Sequence, residues 1–116
     1  RGSTVMAYNY LSIGNVYSLF AADAVAAPVA SQEFGILPND RAKVIVWSTK
    51  FASAPSAASI KLQGSLDGTD WYDLDTSTAK AGEIRTTSVT ASPFLRAYKS
   101  SQTGGGALTV KVCIAV

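Results

Sequence analysis

The amino-acid sequence predicts an all-β protein: a single antiparallel β-sandwich or jelly roll of about seven or eight strands, with little or no helix. Three observations lead to this prediction. Helical periodicity is nearly absent, residues 108–116 alternate strictly between apolar and other side chains, and turn-forming residues recur every ~8–14 residues. A chain of 116 residues is long enough for one core, so we expect one domain overall.

The last strand has the clearest pattern. Every second residue contributes to an apolar face, which consists of Leu108, Val110, Val112, Ile114 and Val116, while Cys113 lies on the opposite face. Residues 44–47 form a continuous apolar run ending in Trp47, which is typical of a strand that is covered on both faces. Both segments are expected to contribute to the core.

Six further strands are predicted, at residues 8–13, 34–37, 59–64, 71–74, 83–90 and 94–99. Residues 83–90 are polar and rich in threonine, which indicates an edge strand, and we expect Ile84 to point inward. In the next strand Phe94, Arg96 and Tyr98 share one face.

Turn chemistry separates these segments at residues 38–40, 67–69, 81–82 and 103–106. The alanine-rich residues 21–30 form the one stretch that could be mistaken for a helix. Its interior Pro28 argues against that assignment, because proline lacks the amide donor and clashes with the preceding turn.

Composition excludes most enzymes. The chain has no histidine, which is the usual general base near neutral pH and the commonest metal ligand, and its single cysteine cannot form an internal disulfide. Ten basic and eight acidic residues give a net charge of only +2, which is not the basic stripe that nucleic-acid binding requires. No segment has the length or pattern of a membrane span or a signal peptide. We therefore predict no catalytic residues, no cofactor, no metal, no nucleic-acid partner and no membrane partner.

The low charge also has a positive implication. Charged residues make up 16% of the chain, against about 25% in ordinary soluble domains. A weakly charged surface of alanine, serine and threonine is expected to be covered by a partner, because exposed apolar surface usually marks an interaction site.

Residues 64–71 carry the most specific motif, Gly-Ser-Leu-Asp-Gly-Thr-Asp-Trp. We interpret it as a strand, a tight turn and a returning strand, in which Asp67 accepts backbone hydrogen bonds and Gly68 supplies a positive φ. The alternative is a calcium loop, because four aspartates lie within nine residues: Asp67, Asp70, Asp73 and Asp75. The spacing does not match an EF-hand, which favours the turn.

This motif resembles the GS-x-DGT-x-W hairpin of small β-sandwich structural proteins of tailed-bacteriophage virions, of the capsid decoration or cement type. In that group an aromatic-Leu/Ile-Arg strand, a glycine-rich turn and a valine-rich last strand follow. Here they correspond to residues 94–96, 104–106 and 108–116, so the resemblance covers residues 31–116. Related hairpins also occur in discoidin-like and other carbohydrate-binding sandwiches.

The resemblance implies a viral structural protein on the capsid surface of the virion, assembled in the host cytoplasm. Its partners would be the major capsid protein and further copies of itself, as a homotrimer. Residues 31–116 would form the sandwich core and residues 1–30 an N-terminal arm with the first strand. Residues 1–5 are a candidate non-native addition ahead of Met6. We assign partner binding to Tyr8, Tyr10 and Tyr17, because tyrosine is enriched at protein contacts.

The alternative function is a carbohydrate- or receptor-binding module of a phage tail or fibre, with a glycan bound by Trp71, Tyr72 and Arg96. A second interpretation of Arg96 is favoured, in which its stem packs on apolar surface and its head pairs with an acidic residue of segment 67–75. Trp47 and Trp71 are both expected in the core.

Overall fold

The computed structural model describes residues 9–36, 44–88 and 94–116, which form ten strands and no helix. The strands are β1 Asn9–Leu11, β2 Val16–Asp23, β3 Val29–Ala30, β4 Phe34–Ile36, β5 Val44–Phe51, β6 Ala57–Ser65, β7 Trp71–Ser77, β8 Glu83–Ser88, β9 Phe94–Thr103 and β10 Leu108–Ala115. The predicted all-β sandwich is confirmed. The strand count exceeds the predicted seven or eight because β2 and β3 lie in a segment for which the sequence pattern indicated no strand.

The strands form two sheets. The six-stranded sheet has the order β1-β4-β9-β6-β7, with β3 also paired to β9, and the four-stranded sheet has the order β2-β10-β5-β8. Among the described pairs β1 and β4 run parallel and all the others antiparallel. Strands adjacent in a sheet are therefore often distant in sequence, as in β9 beside β6.

The core lies between the two sheets. It is filled by alternate residues of the central strands, which include Ile45 and Trp47 of β5, Ile60 and Leu62 of β6, Leu95 and Ala97 of β9, and Leu108, Val110, Val112 and Ile114 of β10. These side chains are at most 1% exposed. The predicted apolar face of the last strand is thus confirmed at four of its five positions, while Val116 follows the end of β10 and is 75% exposed.

The prediction that Ile84 points inward is wrong, because its side chain is 74% exposed. In the pairing of β8 with β5, Ile84 lies opposite Ser48 and Arg85 lies opposite Trp47. Since Trp47 faces the core, Arg85 faces inward with it, where it hydrogen-bonds Asp75 of the other sheet. In this edge strand an inward position is therefore occupied by an arginine that contacts the facing sheet.

Residues 9–30 are part of the sandwich. Strand β2 pairs with β10 and places Leu19 and Phe20 in the core, where they are 3% and 5% exposed. The alanine-rich stretch 21–30 contains no helix. Its first residues complete β2, where Ala22 has a φ of +52°, and Val29–Ala30 form β3.

Candidate interaction surface

The outward side of the six-stranded sheet carries most of the residues that the sequence singled out. Cross-strand pairing places Tyr10 of β1 beside Gly35 of β4, Gly35 beside Phe94 of β9, Phe94 beside Ser65 of β6, and Ser65 beside Trp71 of β7. With strands about 4.8 Å apart, this row spans about 19 Å. We call this side of the sheet the outer face.

Tyr10 lies at one end of the row. Strand alternation directs Leu11 into the core, where it is 1% exposed, and Tyr10 outward, where it is 47% exposed. The Tyr10 ring packs against Gly35: a Cβ atom at that glycine would come within 2.6 Å of Cε1 of the ring. Glycine at position 35 therefore permits the ring to lie against the sheet.

Arg96 lies in the neighbouring row of the outer face. The carbon atom of its guanidinium group is 4.3 Å from the centre of the Trp71 ring and 5.6 Å from that of Tyr98. Its Nε donates a hydrogen bond of 2.9 Å to Oε1 of Gln63, its cross-strand neighbour on β6. Burial lowers the pKa of Arg96, an effect that the charge of Glu33 partly offsets. The group stays charged at any physiological pH.

Gln63 connects Arg96 to a second polar pair. Its Nε2 donates a hydrogen bond of 2.9 Å to Oδ1 of Asp73, while Oδ2 of Asp73 accepts one of 2.9 Å from Nζ of Lys61. These hydrogen bonds from Gln63 and Lys61 lower the pKa of Asp73. Because Asp73 holds the amide nitrogen of Gln63, the amide oxygen is directed at Arg96.

Two expectations about this region are corrected by the structure. Arg96 does not pair with an acidic residue of segment 67–75, because the nearest such group in its row, Asp73, is occupied by Lys61 and Gln63. Trp71 is not a core residue: it is half-buried on the outer face beneath Arg96. The stacking with the guanidinium, rather than the core, shields its ring.

The hairpin between β6 and β7 is organised by Asp67. Its Oδ1 accepts hydrogen bonds from the backbone amides of Thr69 and Asp70, at 2.8 and 2.9 Å, and from Oγ of Ser65 at 3.0 Å. These hydrogen bonds lower the pKa of Asp67. Gly68 has a φ of +79°, which glycine adopts without steric cost. The turn therefore uses the motif's aspartate and glycine for backbone geometry.

The four aspartates of this segment do not converge. Asp67 lies in the turn, Asp73 lies on the outer face, and Asp75 points between the sheets toward Trp47 and Arg85. Among the described residues no group of three or more His, Cys, Asp or Glu is arranged to hold a metal ion.

The structure separates the remaining predicted site residues from this surface. Tyr17 of β2 points between the sheets, where its ring packs 5.6 Å from that of Phe34 and its hydroxyl accepts a hydrogen bond from the amide of Ser12. Hydrogen bonding with Ser12 lowers the pKa of Tyr17. Tyr72 is 65% exposed. Because side chains alternate along a strand, it points to the opposite side of β7 from Trp71, which lies on the outer face. Tyr8, like residues 1–5 and the predicted turn at 38–40, lies outside the described residues.

Sequence reasoning missed a polar cluster between the sheets. Nε1 of Trp47 donates a hydrogen bond of 3.0 Å to Oδ2 of Asp75, and Arg85 donates to both oxygens of the same carboxylate, at 2.9 and 3.0 Å. Burial raises the pKa of Asp75, but the hydrogen bonds from Arg85 and Trp47 outweigh it, so that the pKa is lowered. The sequence did contain a signal for this cluster: a tryptophan in the core requires an acceptor for its indole N–H, and a nearby aspartate can supply one.

A buried lysine was also missed. Lys99 is 2% exposed and faces inward from β9, where its Nζ donates hydrogen bonds of 2.8 Å to Oδ2 of Asp23 and to the carbonyl of Val25. It thereby anchors the loop after β2 beside a cavity of about 390 Å³ that also borders the glycine-rich turn 104–106. All three lysine donors are used if the contact with the Asp23 carbonyl at 3.3 Å is included.

The outward side of the four-stranded sheet is different in character. It carries a shallow apolar groove of about 160 Å³, lined by Val16, Val46, Ile84 and Cys113 with Lys111 and Ser48. Val16 is 64% exposed there. No helix in the described part of the chain is long and apolar enough to cross a membrane.

Comparison with known proteins supports the fold. No protein-family model matches the chain, and no curated protein matches it in sequence. Among solved structures, the crystal structure of SPBc2 prophage-derived protein YomS is similar, with a TM-score of 0.62 over 86% of this chain and 90% of that one. The sequence identity is 14%, so the likeness concerns the fold. The chain therefore shares the β-sandwich architecture of a prophage-derived protein.

Proposed function

We propose that this protein is a structural component of a tailed-bacteriophage virion that decorates the capsid surface and stabilises the assembled head, as a homotrimer bound to the major capsid protein. The fold similarity to a prophage-derived protein supports the viral assignment. The hairpin at residues 64–71 and the order of the following motifs support the decoration role.

One observation carries the proposal: the outer face of the six-stranded sheet presents aromatic side chains and an arginine across five adjacent strands. Tyr10 and Trp71 lie at opposite ends of a single row, and Arg96 lies in the next row. Tyrosine, tryptophan and arginine are the residues that most often dominate the energy of protein interfaces. A rigid sheet holds them in fixed positions, so little conformational entropy is lost on docking.

The arrangement favours a protein partner over a glycan. A sugar ring stacks on an open aromatic face, but the guanidinium of Arg96 lies 4.3 Å from the centre of the Trp71 ring. Tyr72, the second aromatic residue of the alternative site, points to the other side of the strand. The three residues Trp71, Tyr72 and Arg96 therefore do not form one sugar-binding platform.

The test uses expanded phage heads assembled without this chain. We expect purified protein to bind them saturably and to raise the temperature at which they release their DNA. The matched variants are Tyr10→Ala, on the outer face, and Tyr72→Ala, which removes an equally large and even more exposed ring elsewhere. We expect the first to weaken head binding about tenfold or more and the second to leave it unchanged.

Two results would contradict the proposal at different levels. If the wild-type protein neither binds nor stabilises the heads, the decoration role is wrong. If it binds but Tyr10→Ala and Tyr72→Ala behave alike, the outer face is not the contact surface. Circular dichroism of both variants verifies that each retains the sandwich.

A further inference from the structure

Arg96 is held in a fixed orientation by three neighbours on the outer face. Trp71 and Tyr98 lie against its guanidinium group, and Oε1 of Gln63 accepts the hydrogen bond from Nε. In the described part of the chain neither terminal nitrogen, Nη1 or Nη2, makes a hydrogen bond. The two adjacent N–H groups at this end of the guanidinium match the spacing of the two oxygens of a carboxylate.

Among the described residues, no carboxylate forms a direct ion pair with Arg96. Lys61, the other cation that the described residues place on the outer face, contacts Asp73 at 2.9 Å, whereas no carboxylate of a described residue lies within 4 Å of Arg96. The charge of Glu33 acts on Arg96 as well and raises its pKa, against the effect of burial. A partly buried guanidinium gains more from an incoming anion than a fully hydrated one does, because less water has to be removed.

We infer that Arg96 is a carboxylate-binding residue and that the partner docked on the outer face presents an aspartate or glutamate side chain to it. This inference rests on the proposed function for the surface and adds the chemistry of the partner. Asp73 is a positioning residue: through the amide of Gln63 it orients the acceptor that holds Nε of Arg96. Because the guanidinium of Arg96 covers the Trp71 ring, that ring is not the binding group. The partner's carboxylate is instead bound by the two terminal nitrogens, Nη1 and Nη2, of Arg96.

The test is a nuclear magnetic resonance titration of the isolated, nitrogen-15-labelled protein with an acetylated tetraglutamate peptide. The chain has four arginines, and the Nε–Hε signals of Arg85 and Arg96 serve as control and reporter, respectively. We expect the Arg96 signal to shift saturably. The Arg85 signal should stay in place, because its guanidinium is already held by Asp75 and Glu83.

The variant Arg96→Lys retains the positive charge but loses the two-pronged geometry. We expect it to weaken peptide binding about tenfold or more. Absence of a saturable shift at Arg96, or equal binding by the wild type and Arg96→Lys, would overturn the inference. So would tighter binding of sodium glucuronate or inorganic phosphate than of the peptide, because the ligand would then be a sugar acid or a phosphate.

The titration contains no capsid, so the two proposals can fail separately. If the peptide titration succeeds but heads are not bound, the decoration role fails and the carboxylate site stands. If heads are bound and Arg96 shows no shift, the carboxylate inference fails and the decoration role stands. If both succeed, Arg96→Lys should also lower the occupancy of heads.

Discussion

Asp75 connects the two sheets through hydrogen bonds from Trp47 and Arg85. Its replacement by alanine should therefore lower the free energy of unfolding. Trp47 is 1% exposed, and its Nε1 donates to Asp75 at 3.0 Å. In the Asp75→Ala variant this buried donor loses its acceptor, which costs about 1–3 kcal/mol. Arg85 adds nothing to this figure because its side chain is 37% exposed and can turn to water.

The expected loss of about 2 kcal/mol corresponds to a Tm lower by about 8 °C, at roughly 4 °C per kcal/mol for a domain of this size. Urea denaturation followed by tryptophan fluorescence gives the free energy of unfolding directly. The matched control is Asp73→Ala, two residues away but on the outer face, where the carboxylate side chain is 47% exposed. An exposed pair of this kind contributes less than about 1 kcal/mol.

The pH dependence gives an independent check on Asp75. Its pKa in the folded protein is lowered, so its contribution to stability is present above the unfolded value near 3.9 and is lost as the pH falls through the folded value. The stability difference between the wild type and Asp75→Ala should therefore be constant from about pH 7 to pH 5 and narrow below about pH 4. If Asp75→Ala and Asp73→Ala cost the same, or if the difference does not change with pH, the assigned role of Asp75 is refuted.

Three further substitutions test the described geometry. Gly82→Ala should lower the free energy of unfolding, measured by chemical denaturation, by about 2 kcal/mol more than Gly104→Ala does. Both glycines have a positive φ, but of the two only Gly82 has backbone atoms where a Cβ would lie, so equal losses would contradict the described packing. Lys99→Ala should lower the free energy of unfolding by about 3 kcal/mol, since it removes a side chain that is 2% exposed and leaves Asp23 without its ion-pair partner; a loss below about 1 kcal/mol would be inconsistent with this role. Gly35→Ala should displace the Tyr10 ring and weaken head binding without loss of the fold, which circular dichroism checks; unchanged head binding would count against the ring's role.

The sequence pattern was sufficient for the fold class and for the strands whose two faces differ. In β10 the alternation of apolar and other residues corresponds to burial at Leu108, Val110, Val112 and Ile114. The same kind of pattern gave the wrong orientation in β8, where the hydrophobicity of Ile84 suggested that its side chain points inward, although it is 74% exposed. There the inward position belongs to Arg85, because an acceptor for its guanidinium lies on the facing sheet. Such a preference depends on a residue of another strand and is not visible within β8 itself.

The candidate surface was predictable only in its parts. Tyr10, Trp71 and Arg96 were each singled out, but they were assigned to different functions and Trp71 was also expected in the core. Their common face follows from the strand order β1-β4-β9-β6-β7, which brings together segments about sixty residues apart. Local periodicity states which residues of one strand share a side. It does not state which strands are neighbours, so the row could not be assembled from the sequence.

The position of β10 in its sheet has a consequence for how the chain acquires its structure. β10 lies between β2 and β5, and the described part of the chain offers β2 no other neighbour in that sheet. During synthesis β2 therefore has to wait for the emergence of residues 108–115 before its backbone can be paired. Pairing over such a sequence distance is slow and leaves strand edges open to other chains. We expect the four-stranded sheet to be completed only after residue 115 has left the ribosome.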